Sequence, residues 1–251
     1  MDFLNQYAWV GALLFARLGA VLMIAPGWGE QVAPATLRLA AAILVTAALA
    51  PTLAGQIPPA PANIVDGIPM ILTEVLVGLL LGGGARLLMS ALQVAGATVG
   101  IASGLGFAQQ VDPVASQPAA IFSGFFSLMG VVLVMAAGLH RIMIQAAADS
   151  YAMFPAGALP PLGDSITFVI DAVANAFRLG IQIAAPVLVF SLIFNMSLGL
   201  VSRLIPQIQI FLIAMPLSVL LGVAVIALGL GGGITVWLEE MERQAHVFTV
   251  R

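Results

Sequence analysis

Two charges stand where the sequence is otherwise apolar: Arg17 within the segment Phe3–Ile24, and Glu74 within Ile68–Leu88. A charged side chain at the centre of a membrane helix costs roughly 2.5–3.5 kcal/mol on insertion scales, so such a group pairs or faces water. These residue types allow two chemistries. One is a proton or ion relay through the carboxylate; the other is a structural partner for each charge, and whether Arg17 and Glu74 pair with each other stays open. A second constellation, Asp171, Asn175, Arg178 and Gln182, advances in steps of four, three and four residues. That spacing puts a single polar stripe on one helix face. The stripe reads either as a wet lumen or subunit interface, or as a half-helix outside the bilayer. On both readings this is no plain lipid-facing span.

Conventional enzyme chemistry is not visible, and neither a catalytic, a cofactor nor a metal site is expected. His140 and His246 are the only histidines, and no carboxylates flank them at metal-ligand spacing. His140, Asp149 and Ser150 supply the residue types of a nucleophilic triad without its elbow or order. The runs GGGAR and GLGGGIT lack the lysine of a phosphate loop and the pattern of a dinucleotide site, so helix packing accounts for them better. There is no cysteine, hence neither disulfide nor thiolate chemistry.

The elements that must position these groups are membrane helices. Of 251 residues, 61% are hydrophobic and 8% charged, against about 25% charged in soluble chains, and the mean hydropathy is +1.12. The net charge of −3 argues against a nucleic-acid partner, which would want a basic face. All eight basic residues are arginines, the cation suited to buried multi-partner hydrogen bonding, although a high-GC genome would also favour its codons. The start, MDFLNQYAW, lacks the basic region of a cleavable signal, so the first apolar segment is expected to be retained.

Six apolar segments emerge. The first is Phe3–Ile24, ended by the Pro26-Gly27 turn, and the second is Arg38–Ala50, stopped at Pro51. The third, Ile68–Leu88, has a glycine-rich continuation, Ser90–Leu105, and the fourth is Ile121–Leu139. The fifth, Ser165–Ser202, and the sixth, Ile205–Leu238, form a long hairpin hinged near Arg203, with Pro206, Gln207 and Gln209 at the bend. Two proline-rich loops, GQIPPAPANIVDG and YAMFPAGALPPLGD, separate segments, and a charged tail follows Leu238. Gly96, Gly100 and Gly104 recur every fourth residue, a small-residue ridge along which a neighbouring helix can come close. The uncharged run Leu204–Leu238, broken by Pro206, Pro216 and a glycine cluster, exceeds the roughly 20 residues a single crossing needs. It reads as part of a packed membrane assembly.

The order and spacing of four blocks resemble a known family. They are ARLGAVLMIAPGWGEQVAPATLRLAAAILVTAALAP, GLGFAQQVDPVASQPAAIFSGFF, GLHRIMIQAAADSYAMFPAG and NMSLGLVSRLIPQIQIFLIAMPL. From Leu4 to Leu238 the chain resembles the FliR/SctT family of type III export-gate membrane proteins. Two positions depart from the family's usual residues: Gln209, where asparagine is common, and Arg141, where a second histidine is common.

The resemblance implies an all-α integral membrane protein of about six long, broken and tilted helices. It also implies a FliP-like part over 1–160, a FliQ-like hairpin over 161–238 and a charged tail over 239–251. It implies a non-catalytic subunit of the flagellar export gate in the inner membrane at the basal body, protruding toward the periplasm. Partners would be several copies of FliP and FliQ, with FlhB and FlhA, membrane lipid and unfolded export substrates. A family loop that plugs the pore would correspond to 104–118. There Gly104 and Gly106 permit bending, Phe107 is a bulky stopper, Gln109 and Gln110 hydrogen-bond without fixed charge, and Asp112-Pro113 begins a stiffer far side. The injectisome SctT type is the near alternative. A secondary transporter is the rival class, although the four-plus-two pattern contains no inverted repeat.

Overall fold

The computed structural model describes residues 2–29, 34–104, 120–204 and 210–249. Among these the regular structure is all helical, without strands: α1 Asp2–Ile24, α2 Ala35–Leu53, α3 Ile64–Ala102, α4 Ala120–Ala136, α5 Leu139–Met153, α6 Leu162–Leu204 and α7 Ile210–His246, with a short 3-10 turn at Ala54–Gln56. Five helices are long and apolar enough to cross a membrane, or six if the bent pair α4–α5 is one span. The expected all-α membrane architecture is what the chain adopts.

Local chemistry explains the element ends. Pro34, with ψ of 142°, holds extended backbone just ahead of α2, as a ring-fixed residue can without giving up a helical N–H. Pro51 does not stop α2, contrary to expectation; the helix continues to Leu53. In a last turn the proline removes one hydrogen bond only, and Thr52 Oγ1 donates to the Leu49 carbonyl at 2.8 Å. The glycines at 82–84 do not divide α3, which runs unbroken for 39 residues. The fourth apolar segment ends earlier than expected, at Ala136, and a 70° bend separates α4 from α5. The bend needs Gly138, whose φ of +73° places it in a region that side chains resist. Tyr151, expected to open a loop, lies in the last turn of α5. The charged stretch after Leu238 is also helical, as far as His246.

By internal packing the chain forms two compact units: 1–88 with 131–173 and 240–251, and 89–130 with 174–239. In the first, Leu13, Leu14, Leu18, Met143 and Met241 are among the buried apolar residues; in the second, Leu92, Val99, Phe126 and Trp237 are. Much of the outer surface is large and apolar, including Leu44, Leu128, Leu192 and Leu228. Contiguous apolar exterior of this kind marks a lipid or protein interface.

Candidate functional site: a buried charge hub

Within the first unit, α1 and α3 approach unusually closely. A Cβ added to Gly78 would lie 2.5 Å from the Arg17 carbonyl oxygen and 2.7 Å from Ala20 Cβ, and one added to Gly82 would lie 3.1 Å from the Val21 carbonyl. Two small residues one turn apart on α3 thus give α1 a seat, as small-residue contacts do between membrane helices. One turn before Gly78 on the same helix stands Glu74, and the close seat brings Arg17 beside it.

The two charges pair with each other. Arg17 Nε donates to Glu74 Oε2 at 2.7 Å and Nη2 donates to Oε1 at 3.1 Å. Both side chains are fully buried. This two-pronged geometry matches the guanidinium fork to the carboxylate plane. The remaining valences are also filled. Nη1 donates to Ser150 Oγ at 3.1 Å, and Nη2 to the Phe154 carbonyl at 3.0 Å. Glu74 Oε1 further accepts the Gly157 N–H at 2.9 Å.

The end of α5 and the turn that follows are therefore tied to the pair. The Phe154 carbonyl lies at the C-terminus of α5, where carbonyls lack helical partners and a cation is favoured. Pro155 to Ala158 closes a turn through Ala158 N–H to the Pro155 carbonyl at 3.1 Å. Gly157 takes φ +76°, the sign a type II turn demands at its third position, and this turns its N–H onto Glu74. The Tyr151 ring lies 3.7 Å from Arg17 Cζ, a cation–π contact made in a dry environment. Four residues, Ser150, Tyr151 and Phe154 from the end of α5 and Gly157 from the turn after it, thus converge on the ion pair between α1 and α3.

Chemically, the hub is a lock. A relay needs a group that gives up its proton, and a guanidinium does not deprotonate in proteins. It also needs a carboxylate free to exchange partners, whereas Glu74 already accepts three hydrogen bonds. Of the two chemistries the residue types allowed, structural pairing is the one this geometry serves.

The other predicted residues fall as follows. Asp171, Arg178 and Gln182 are exposed and Asn175 is half-buried, so the stripe is one outward face of α6. Gly96 and Gly100 are both buried on α3. A Cβ at Gly96 would come within 2.5 Å of Ser123 Cα and 2.6 Å of Ser123 N, so the backbones of α3 and α4 touch there. Gly104 does not belong to this ridge: α3 ends at Ala102, and Gly104 follows it with φ +86°. Three glycines at helical spacing share a face only while the helix lasts. The expected plug residues Gly106, Phe107, Gln109, Gln110, Asp112 and Pro113, and the bend residues Pro206, Gln207 and Gln209, lie outside the described residues. Arg203, at the end of α6, is exposed.

His140 and Asp149 sit nine residues apart on α5, about 13 Å along the axis at 1.5 Å per residue, so no triad forms with Ser150. His140 instead meets Trp28 edge-on, with ring centroids 6.3 Å apart. No group of three or more potential metal ligands occurs among the described residues.

Residues 8–244 match the family described as bacterial export proteins, family 1. The protein named flagellar biosynthetic protein FliR of Caulobacter vibrioides is 40% identical over 241 residues, covering 96% of each chain. The protein of that name from Aquifex aeolicus is 32% identical over 219 residues, 87% of this chain and 84% of its own. The one from Escherichia coli is 27% identical over 232 residues, 90% of this chain and 85% of its own.

Proposed function

The chain belongs to the bacterial export proteins, family 1, alongside proteins named FliR, and from that premise we propose that it is a non-catalytic wall subunit of the flagellar type III export gate. With several copies of FliP-like and FliQ-like subunits it builds the protein-conducting pore through which unfolded flagellar substrates leave. FlhB-like and FlhA-like components act with it. Its place is the inner membrane at the basal body, with part of the assembly protruding toward the periplasm. Residues 1–160 act as the FliP-like part, 161–238 as the FliQ-like hairpin, and the loop 104–118 as the plug.

The observation that carries this reading is the disposition of polarity. Arg17 and Glu74, the charges set deepest in apolar segments, are sealed inside and saturated, while rows of large apolar side chains face outward. A chain that bound a solute in its own core would need those charges open to the solute. A wall piece needs a rigid interior and an exterior that lipid and neighbouring subunits can cover.

The test is purification of the tagged chain in mild detergent from cells expressing the whole export operon. The reading expects FliP-like and FliQ-like subunits to co-purify in excess over this chain. Recovery of a lone monomer would overturn it.

A further inference from the structure

The end of α3 is fastened by a residue that lies 115 positions later, on α7. The last turn of α3 tightens, with the Gly104 N–H donating to the Ile101 carbonyl at 3.1 Å. The chain then leaves at Gly104 with φ +86°. A helix end has carbonyls without helical partners, and the one at Ser103 is met from α7: Ser218 Oγ donates to it at 3.2 Å. One turn further along α7, a Cβ added to Gly222 would lie 2.8 Å from Ser103 Cβ. Ser103, fully buried, thus rests on a small-residue seat. Gly104 fits the same spot, since a Cβ there would lie 2.8 Å from Ser218 Oγ and 3.8 Å from Ser218 Cβ. All of these residues belong to the second compact unit.

The fastening is made so that it can let go. Ser218 Oγ has one proton and shares it with the Met215 carbonyl, three residues back, at 2.8 Å. If the Ser103 carbonyl moves away, the hydroxyl keeps that second partner. Gly104, Ser191, Asn195 and Ser218 also border a cavity of about 70 Å³. Water takes up roughly 30 Å³ per molecule, so about two fit among these polar groups. Non-helical backbone at membrane depth is tolerated where it lines such a cavity. Release therefore leaves no buried group unpaired, and what is lost is the net strength of one hydrogen bond.

Resting on the reading of loop 104–118 as the plug, we propose that Ser218 is the positioning residue for the root of that loop. Its hydroxyl holds the Ser103 carbonyl and so sets the direction in which the chain leaves α3 at Gly104. It acts through Ser103 and needs no contact with an exported chain. A hydrogen bond of ordinary net strength favours the latched root by about two- to twelve-fold. That bias holds a resting gate and still yields to an arriving substrate.

Ser218→Ala removes the hydroxyl and keeps the seat. Expressed with the whole operon, it should co-purify with the gate subunits at the parent level, while resting cells leak small ions about two- to twelve-fold faster. A second variant combines Gly104→Cys with Ser218→Cys. The 3.8 Å between their Cβ positions suits a disulfide, and the chain has no other cysteine. Oxidised, the covalent tie replaces the latch and the leak stays at the parent level. Reduced, the leak rises as in Ser218→Ala and falls again on reoxidation, a reversal that lost packing alone would not produce. An assembled Ser218→Ala gate that leaks no more than the parent overturns the proposal. So does a cysteine pair that does not oxidise, or a leak indifferent to reductant. If Ser218→Ala fails to assemble, the cysteine pair decides. Deletion of Gln109–Ser116, measured alongside, separates the two readings. If the deletion leaks and the Ser218 variants do not, the latch alone is refuted; if an intact gate with the deletion stays tight, the plug reading falls and the latch with it.

Discussion

Substituting Glu74 by glutamine keeps the shape of the side chain and removes its charge. The glutamine carbonyl can accept one of the hydrogen bonds now made by Arg17, but its amide presents donors to other donors: the guanidinium on one side and the Gly157 N–H on the other. Arg17 stays fully buried with neutral partners only, Ser150 and the Phe154 carbonyl. Removing one member of a buried pair costs about 3–5 kcal/mol. For a chain of this size each kcal/mol moves Tm by about 2–4 °C, so Glu74→Gln is expected to melt roughly 6–20 °C lower in detergent. The amounts of co-purifying gate subunits should fall with it. The double variant Arg17→Met with Glu74→Met removes both charges together and should lose less than either single substitution, since no uncompensated charge remains. Melting within about 2 °C of the parent, with normal assembly, would refute the lock. Normal assembly accompanied by altered ion movement would assign Glu74 to transport instead.

Gly78→Ala sets a Cβ against the Arg17 backbone, so it should separate α1 from α3, cost about 1–3 kcal/mol of stability as overpacking does, and lower Tm accordingly. Gly96→Ala meets the Ser123 backbone and should destabilise comparably, whereas Gly83→Ala, with nothing within 4 Å of its Cβ, should stabilise α3 by about 0.5–1 kcal/mol through helix propensity; the three melting curves, run together, check the order. Deleting Gln109–Ser116 should make resting cells leak small ions while the gate still assembles, and unchanged permeability with an intact complex would count against the plug.

The class of the protein and the positions of its long helices were legible because composition and apolar run length respond directly to the bilayer. Arg17 and Glu74 could be singled out by the cost of a charge in an apolar run. Their pairing could not, because 57 residues separate them and only the seat at Gly78 brings them together. Ser150, Tyr151 and the Phe154 carbonyl escaped for a related reason. A serine, a tyrosine and a backbone oxygen carry no distinguishing signal until a helix end is aimed at a cation. Gly157, in a proline-rich loop, was the one available hint, since such glycines often mark a turn that presents an N–H. The end of α2 differs from the expectation because Pro51 falls where one hydrogen bond is expendable. Conversely, Gly104 was read as helical because its spacing fits a helix that has already ended.

The hub also imposes an order on biogenesis. Arg17 is synthesised 57 residues ahead of Glu74 and 133 ahead of Ser150. At roughly 5–20 residues per second, α1 emerges seconds before its counter-charge and longer still before the turn at Gly157. During that interval its guanidinium has none of these buried partners, so α1 is expected to stay at a wet boundary until α3 supplies the counter-charge and α5 with its turn completes the hub. A truncated nascent chain ending before Glu74 should therefore leave α1 extractable by alkaline buffer, and one reaching past Gly157 should not.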